Sequence, residues 1–297
     1  MWGRQHGPVV GVVDVGSNTV RLLVMHGGRA VLTERRMLHL GADVELLGEI
    51  SSAKLDLVSE VVRGYAADAR AAGATGLEVL IASPGRQAAN GGELLELLAA
   101  ASGAPTRILT WAEEGRLAFV GALHAAAPPA RRSTAVVDVG GGSAQVVVGT
   151  RRDGPQWSGS IDLGAQRLTS RLLRDDPPGR KAVAAARAEI ERHLESLTVP
   201  EPRIALAVGG SARGVKRIVG GRLGEDELRE ALDLLTVTPA AELAKRFDLR
   251  LERAQVLPAG CAILACLQLR LGVPLKVVRG GLREGALLEL ATETLAA

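Results

Sequence analysis

The feature that constrains this chain most is a glycine-rich turn that opens with an aspartate, lies between two apolar strands and occurs twice. The first copy is DVGSNT at residues 14–19, and the second is DVGGGS at residues 138–143. Apolar runs of about five residues flank each turn, as is typical of buried β-strands. Asp138 follows Asp14 by 124 residues, the difference between the two positions. The pattern therefore predicts one long internal repeat, with a β-hairpin at the start of each copy.

The segments that follow each hairpin alternate between predicted strands and helices. Helical periodicity covers residues 54–73, 92–102, 112–124 and 181–197, and short apolar strands are predicted at 77–82, 107–109, 204–208 and 275–278. Such alternation indicates an α/β architecture, and 297 residues are enough for two domains. The stretch of alanine, proline and arginine at 125–132 breaks the third helix. We therefore predict domains at residues 1–128 and 129–297, with a last helix that returns to the first domain.

Composition disfavours several classes of function. Apolar runs are interrupted well before about 18 residues, and the first residues lack the apolar region of a signal peptide, so we expect a cytoplasmic protein without a membrane segment. Aromatic residues make up 2% of the chain, which disfavours nucleic-acid binding by base stacking. Five of the 36 basic residues are lysines, which leaves 31 arginines. This excess fits either a groove for a polyanion or the codon usage of a GC-rich genome.

Both turns are suited to binding phosphate. Glycine permits positive φ, so that successive backbone N–H groups can point into one concavity. A P-loop or a dinucleotide-binding fingerprint requires a helix directly after the glycines, whereas apolar strands follow here. Glycine-rich hairpins also occur without a ligand, but two copies favour phosphate binding. The candidate phosphate-binding residues in the turns are Gly16, Ser17, Asn18, Gly140, Gly141, Gly142 and Ser143.

Seven segments in order along the chain resemble motifs of one enzyme family. They are VDVGSNTVR (13–21), ASPGRQAAN (82–90), WAEEGRLAF (111–119), VDVGGGS (137–143), LGAQRLT (163–169), ERAQVLPAG (252–260) and GLREG (281–285). The set resembles the exopolyphosphatase and guanosine pentaphosphate phosphohydrolase (Ppx/GppA) family in its short, two-domain form. The resemblance implies two actin-like, ribonuclease-H-like domains with a phosphate-binding cleft between them. It also implies a homodimer, as relatives often form.

The activity that this resemblance implies is exopolyphosphatase: hydrolysis of the terminal phosphoanhydride of inorganic polyphosphate with Mg²⁺ or another divalent cation. The alternative substrate is guanosine pentaphosphate. Glu114 aligns with the catalytic glutamate of the family, which would orient the attacking water and accept its proton. Without the resemblance, the same residue is an ordinary acid in the first turn of a helix.

The resemblance assigns further roles to charged and glycine residues outside the turn backbones. Asp138 is the expected catalytic and metal-binding carboxylate, and Asp14 is a second metal ligand, although an aspartate at this place can also cap its own turn. Arg86 is a candidate phosphate clamp. The segment Gly209, Gly210 and Ser211 follows a strand and would close over the phosphate chain, unless it is a purely structural turn. Arg21 and Arg283 fall in matching motifs, where packing or salt bridges are the alternative roles.

Two places depart from the family pattern. Pro84 and Gly85 stand before Arg86 where relatives usually have small or aliphatic residues, and the second departure lies beyond the second turn. Relatives place a glutamate two residues after the serine of the second turn, where this chain has Gln145. The departure leaves open a protein that binds phosphate chains as a regulator with weakened catalysis. A kinase of the same superfamily is a further alternative, and the glutamate pair Glu113 and Glu114 argues against it because that motif belongs to the phosphatase branch.

Overall fold

The structure is a computed structural model that describes residues 7–296. Its strands are β1 Val9–Val15, β2 Thr19–His26, β3 Arg29–Met37, β4 Gly76–Ile81, β5 Thr106–Ile108, β6 Thr134–Val139, β7 Ala144–Thr150, β8 Gly154–Ile161, β9 Ile204–Val208 and β10 Leu275–Val277. Its helices are α1 Leu40–Leu47, α2 Ser52–Ala71, α3 Ser83–Gln87, α4 Gly91–Ser102, α5 Trp111–Ala126, α6 Ala165–Leu172, α7 Gly179–Leu194, α8 Gly209–Val219, α9 Glu225–Val237, α10 Ala240–Arg246, α11 Leu251–Leu271 and α12 Leu282–Ala296.

Contacts divide the chain into two compact units. Within residues 7–296, unit 1 comprises the residues up to Leu117 and those from Leu282 onward, and unit 2 comprises Ala118–Gly281. Helix α5 begins in unit 1 and ends in unit 2, so the division falls within a helix. The α12 segment returns to unit 1 from the other end of the sequence.

Each unit contains one five-stranded mixed sheet, and the two sheets have the same topology. The strand order is β3-β2-β1-β4-β5 in unit 1 and β8-β7-β6-β9-β10 in unit 2. The first three strands of each unit form an antiparallel meander, and the last two run parallel to the first strand. This order, with helices on the sheet, is that of the actin-like, ribonuclease-H-like fold. The predicted α/β fold class and both predicted hairpins are confirmed.

The apolar runs of the first strands are buried because helices cover both faces of each sheet. Successive side chains of a strand point to opposite faces. In β1, Val13 and Val15 therefore pack in a core with α2 and α4, whereas Val10 and Val12 pack in a second core with α12. A strand covered on both faces reads as a continuous apolar run. The same arrangement in unit 2 has α11 on one face of the sheet and the second half of α5 on the other.

Helix α11 is deeply buried in the core of unit 2. It spans 21 residues and is apolar enough to cross a membrane by length and composition, but 83% of its most apolar window is buried inside the fold. Cys261 and Cys266 lie in this helix as buried free thiols. The apolar character of α11 therefore reflects its place in the core of unit 2.

Candidate functional site

The turn between β1 and β2 is closed by its own backbone and anchored to the next helix. The Gly16 N–H donates a 3.1 Å hydrogen bond to the Thr19 carbonyl. The carbonyl of Ser17 accepts from the Gly41 N–H at 2.8 Å, and that of Asn18 accepts from the N–H groups of the two residues before α1. The carbonyls of Ser17 and Asn18 are thus bound to N–H groups of the α1 segment, so the predicted phosphate binding would use N–H groups of the turn.

The Ser17 side chain points into unit 1. Its hydroxyl lies 2.6 Å from the Ser83 hydroxyl, at the first residue of α3, and both side chains are buried. A backbone bond from the Ala82 N–H to the Val15 carbonyl, at 3.0 Å, joins the same two segments. The Ser17 hydroxyl, which the sequence predicted as a phosphate donor, therefore links the first turn to α3.

Asp14 has arginines nearby and is partly shielded from water. It lies directly opposite Arg21 in the β1/β2 register. Burial raises the pKa of the Asp14 carboxyl above its ordinary value, and the charges of Arg21 and Arg283 offset part of this shift. The two arginines whose roles the sequence left open thus act on the electrostatics of Asp14.

Arg86 and Glu114 form a buried ion pair in unit 1. The Arg86 Nη2 donates to the Glu114 Oε2 at 2.6 Å, and the two side chains are 11% and 10% exposed. The Arg86 Nη1 donates to the Leu109 carbonyl at 2.5 Å, and the guanidinium carbon lies 5.6 Å from the centre of the Trp111 ring. Glu114 is in the first turn of α5, where its N–H donates to the Thr110 carbonyl at 3.0 Å.

The turn between β6 and β7 repeats the backbone of the first turn with three glycines. The Gly140 N–H donates to the Ser143 carbonyl at 3.0 Å, the bond that corresponds to Gly16 and Thr19. The Gly140 and Gly141 carbonyls accept from N–H groups at the start of α6, at 2.9 to 3.0 Å. A Cβ on Gly164, which precedes α6, would lie 2.4 Å from the Gly141 carbonyl carbon, so only glycine allows this close approach.

Asp138 lies against the start of α8. It pairs in register with Val208, the last residue of β9, and a Cβ on Gly209 would lie 2.7 Å from the Asp138 Oδ1. The sequence predicted a turn at residues 209–211; instead the chain passes directly from β9 into α8, with Gly209 at φ +85°. Helix N–H groups are therefore directed to the neighbourhood of a carboxylate, a place where a bound cation and an anion can be held together.

Side chains from α11 and α8 support this end of unit 2. A Cβ on Gly210 would lie 2.4 Å from an Arg253 guanidinium nitrogen. The Ser211 hydroxyl is buried and donates to the Val139 carbonyl at 3.3 Å, and it lies close to Gly260. Ser211, predicted to bind phosphate, is thus directed toward the strand that carries Asp138.

Gln145 is buried next to the second turn. It is 2% exposed and lies directly opposite Asp138 in the β6/β7 register, on the same face of the sheet. Its Nε2 donates to the Ser143 hydroxyl at 2.8 Å, whereas its Oε1 is buried and accepts no hydrogen bond from any residue that the structure describes. A buried oxygen without a donor costs free energy, and a cation is a group that could relieve that cost.

The oxygen donors of unit 2 suit a hard divalent cation that is held by few protein ligands, and within the described part of the chain they do not form a cluster of three or more metal-binding side chains. No group of three or more His, Cys, Asp and Glu side chains that could hold a metal occurs among residues 7–296. Mg²⁺ binds few protein carboxylates and completes its shell with water and phosphate oxygens. The Asp138 carboxylate and the Gln145 Oε1 supply oxygens of the required kind.

The structure thus groups the predicted residues by unit. Unit 1 holds Asp14, Gly16, Ser17, Asn18, Arg21, Arg86, Glu114 and Arg283, and unit 2 holds Asp138, Gly140, Gly141, Gly142, Ser143, Gln145, Gly209, Gly210 and Ser211. Sequence reasoning missed Ser83, Trp111 and Arg253 as parts of these groups. All three lie inside the quoted motifs, which was the available signal.

Comparisons with known proteins agree over almost the whole chain. The model of the Ppx/GppA phosphatase family matches residues 23–294. Exopolyphosphatase 1 of Mycobacterium tuberculosis strain H37Rv is 29% identical over 301 aligned positions, which cover 94% of this chain and 87% of the relative. Exopolyphosphatase 1 of Mycobacterium leprae is 28% identical, with coverage of 94% and 88%. The crystal structure of the Aquifex aeolicus Ppx/GppA family member has a TM-score of 0.81 at 24% identity, covering 97% of this chain and 98% of that one, and shows that the two share a fold.

Proposed function

Because this chain belongs to the Ppx/GppA phosphatase family, we propose that it is an exopolyphosphatase, which removes the terminal phosphate from inorganic polyphosphate. The observation that carries the proposal is the repeated turn, with the same closing hydrogen bond and an aspartate at the end of each preceding strand. Two relatives named exopolyphosphatase align with 94% of the chain, which favours this substrate over others with a phosphoanhydride bond.

In this proposal, the turn backbones bind the phosphate oxygens. Polyphosphate presents a row of anionic oxygens without other chemical features, so a protein must recognise it through N–H donors and cations. Glycines at the turns let the backbone approach closely. The start of α8, an 11-residue helix, adds N–H groups in unit 2.

Glu114 acts as the general base. A water oxygen attacks the terminal phosphorus, the bond from that phosphorus to the bridging oxygen breaks, and the water proton passes to the Glu114 carboxylate. The products are orthophosphate and a chain one phosphate shorter. Base catalysis of this kind contributes about 100- to 10,000-fold to the rate. Arg86 donates to the Glu114 Oε2, so the charge of this buried carboxylate is paired inside unit 1.

Asp138 and the Gln145 Oε1 would hold a divalent cation, for which we propose Mg²⁺. When bound, Mg²⁺ supplies positive charge to the phosphate oxygens on which negative charge develops. Gln145 is a neutral ligand, and a weaker hold on the cation follows from the missing charge. This observation favours a second candidate function, a regulator that binds polyphosphate and hydrolyses it slowly.

The test is a phosphate-release assay on polyphosphates of defined length and on guanosine pentaphosphate in parallel, with Mg²⁺ and with EDTA. We expect Mg²⁺-dependent release of orthophosphate from polyphosphate, and about a 100-fold or larger loss in Glu114→Gln. Release from guanosine pentaphosphate alone would replace the proposed substrate. Polyphosphate binding without release, in the parent and in Glu114→Gln alike, would support the regulator.

A further inference from the structure

The Arg86 guanidinium is held from several directions by groups of unit 1. One terminal nitrogen donates to the Leu109 carbonyl at 2.5 Å, and the other donates to Glu114 at 2.6 Å. The Trp111 ring lies against the guanidinium, with 5.6 Å between the guanidinium carbon and the ring centre. The Arg86 side chain is 11% exposed, and both of its terminal nitrogens donate to groups inside the protein.

These contacts fix the start of α5 relative to α3. Leu109 lies two residues before the first residue of α5, and Glu114 lies in its first turn. A planar guanidinium that donates to both sets the distance and the direction between a backbone oxygen and a carboxylate. A lysine ammonium, a point charge on a flexible stem, cannot define that geometry.

The position of α3 is fixed in turn by the first hairpin. Ser83, the first residue of α3, bonds to Ser17 at 2.6 Å, and Ala82 bonds to Val15 through the backbone. A continuous set of contacts thus runs from the β1–β2 turn through α3 and Arg86 to the Glu114 carboxylate.

We propose that Arg86 is a positioning residue that aims Glu114, and that it is not a ligand of the phosphate chain. The inference rests on the proposed function, since it assigns the partner that orients the general base. A misplacement of about 1 Å at a reacting group can cost about 100-fold in rate, so a fixed carboxylate matters for turnover more than for binding.

The first experiment separates turnover from binding in Arg86→Lys, which keeps a positive charge but loses the fork. We expect kcat to fall about ten- to 100-fold while KM for polyphosphate changes less than about twofold, because the lost contact acts on the base. The matched control is Arg63→Lys, since Arg63 is exposed on α2. An Arg86→Lys protein with unchanged kcat and a KM raised about tenfold would overturn the proposal.

The second experiment measures binding where Glu114 no longer acts. Glu114→Gln and the double variant Arg86→Gln with Glu114→Gln are compared, because the double variant places neutral groups at both ends of the former ion pair and so avoids a buried lone charge. The proposal predicts polyphosphate dissociation constants within about twofold of each other. A phosphate clamp predicts binding about tenfold weaker or worse in the double variant, because a charge-assisted hydrogen bond to substrate is lost.

The two proposals fail in different ways. Full turnover by Glu114→Gln would remove the general base and with it the proposed mechanism. An inactive Glu114→Gln protein whose polyphosphate binding is weakened about tenfold by Arg86→Gln would leave the mechanism in place and reject positioning. Circular dichroism and thermal unfolding verify that each variant is folded.

Discussion

The hairpin turns of unit 1 and unit 2 have the same backbone but different groups around their aspartates. In each, the first glycine donates to a carbonyl three residues later, and turn carbonyls accept from the segment that begins a helix. Opposite Asp14 lies Arg21, whereas the corresponding position opposite Asp138 is Gln145. The charges of Arg21 and Arg283 near Asp14 reduce the need for a metal there. The Gln145 Oε1 has no hydrogen-bond donor among residues 7–296, and this oxygen beside Asp138 increases the need for a cation. If the proposed function uses a divalent cation, this difference leads us to expect that unit 2 binds it.

The largest expected effect distinguishes the two aspartates. Asp138→Asn should lower polyphosphate turnover by about 100-fold or more, since it removes a charged ligand for Mg²⁺ and metal catalysis is worth several kcal/mol. Asp14→Asn should cost about tenfold or less, because the charges of Arg21 and Arg283 lie near this carboxylate and supply part of the positive charge that a metal would supply at Asp138. The measurement is turnover across a Mg²⁺ titration. Equal losses in both variants, at every Mg²⁺ concentration, would erase the difference between the turns.

The pH dependence of the unfolding midpoint of Asp14→Asn tests the electrostatics assigned to Asp14. A raised pKa means that the ionised carboxyl is disfavoured in the folded state, so its cost is absent below the ordinary value of 3.8 and grows as pH rises toward the raised value. Asparagine resembles the protonated form. Asp14→Asn should therefore raise the unfolding midpoint at pH 7 and lose this advantage below pH 3.8. An advantage of the same size in acid would contradict the assigned electrostatics.

The sequence predicted the central parts of the fold because those parts carry strong periodic signals. The β1–β2 hairpin, α2, β4 and β9 are continuous apolar or amphipathic segments. Strand β3 was not predicted, since its residues are largely exposed and include charged side chains such as Glu34 and Arg36. An edge strand buries little apolar surface and so leaves a weak pattern. Helix α3 was missed because five residues are too few to establish a period.

Contacts within the candidate site could be predicted only where a residue type carries the signal. Glu114 and Arg86 stand out by charge and motif, but the acceptor at Leu109 is a backbone carbonyl, which has no sequence signature. Arg253 approaches Gly210 from a helix 43 residues further along the chain, the difference between the two positions. The sequence also does not show the direction of the Ser17 side chain. Its hydroxyl was predicted to donate to phosphate, and it bonds to Ser83 inside unit 1.

Substitution of the glycines that bring each turn against its helix should have an intermediate effect on polyphosphate binding. Gly164→Ala should weaken polyphosphate binding about tenfold, since the new Cβ would lie 2.4 Å from turn backbone that must move, and overpacking typically costs about 1–3 kcal/mol. In unit 1, Gly41→Ala meets the Ser17 Cβ at 2.8 Å, a smaller overlap than that at Gly164, and should weaken binding about threefold or less.

A third glycine controls for the loss of glycine itself. Gly64 lies in α2, and a methyl group added there would have no neighbouring atom within 4 Å among the described residues outside its own helix backbone. Gly64→Ala should therefore stabilise the helix by about 0.5–1 kcal/mol and leave binding unchanged. Binding is measured by competition with labelled polyphosphate, and stability by thermal unfolding. Weaker binding in Gly41→Ala than in Gly164→Ala would reverse the ranking of the two turns.

The smallest expected effect is the most direct test of the difference between the turns. Gln145→Glu adds a carboxylate opposite Asp138 at a buried position. Two carboxylates that share a site repel each other without a cation, whereas together they bind a hard cation more tightly than one carboxylate and an amide. We therefore expect a lower unfolding midpoint than the parent in EDTA and a larger rise of that midpoint on addition of Mg²⁺, because a ligand stabilises the state that binds it. The Mg²⁺ concentration for half-maximal polyphosphate hydrolysis should fall about threefold, with a similar gain in turnover at low Mg²⁺.

Gln268→Glu is the matched control, since Gln268 is also a buried glutamine whose oxygen has no donor within residues 7–296, but it lies in α11. A Mg²⁺-dependent midpoint shift of equal size in both variants would mean that unit 2 has no cation site at Asp138.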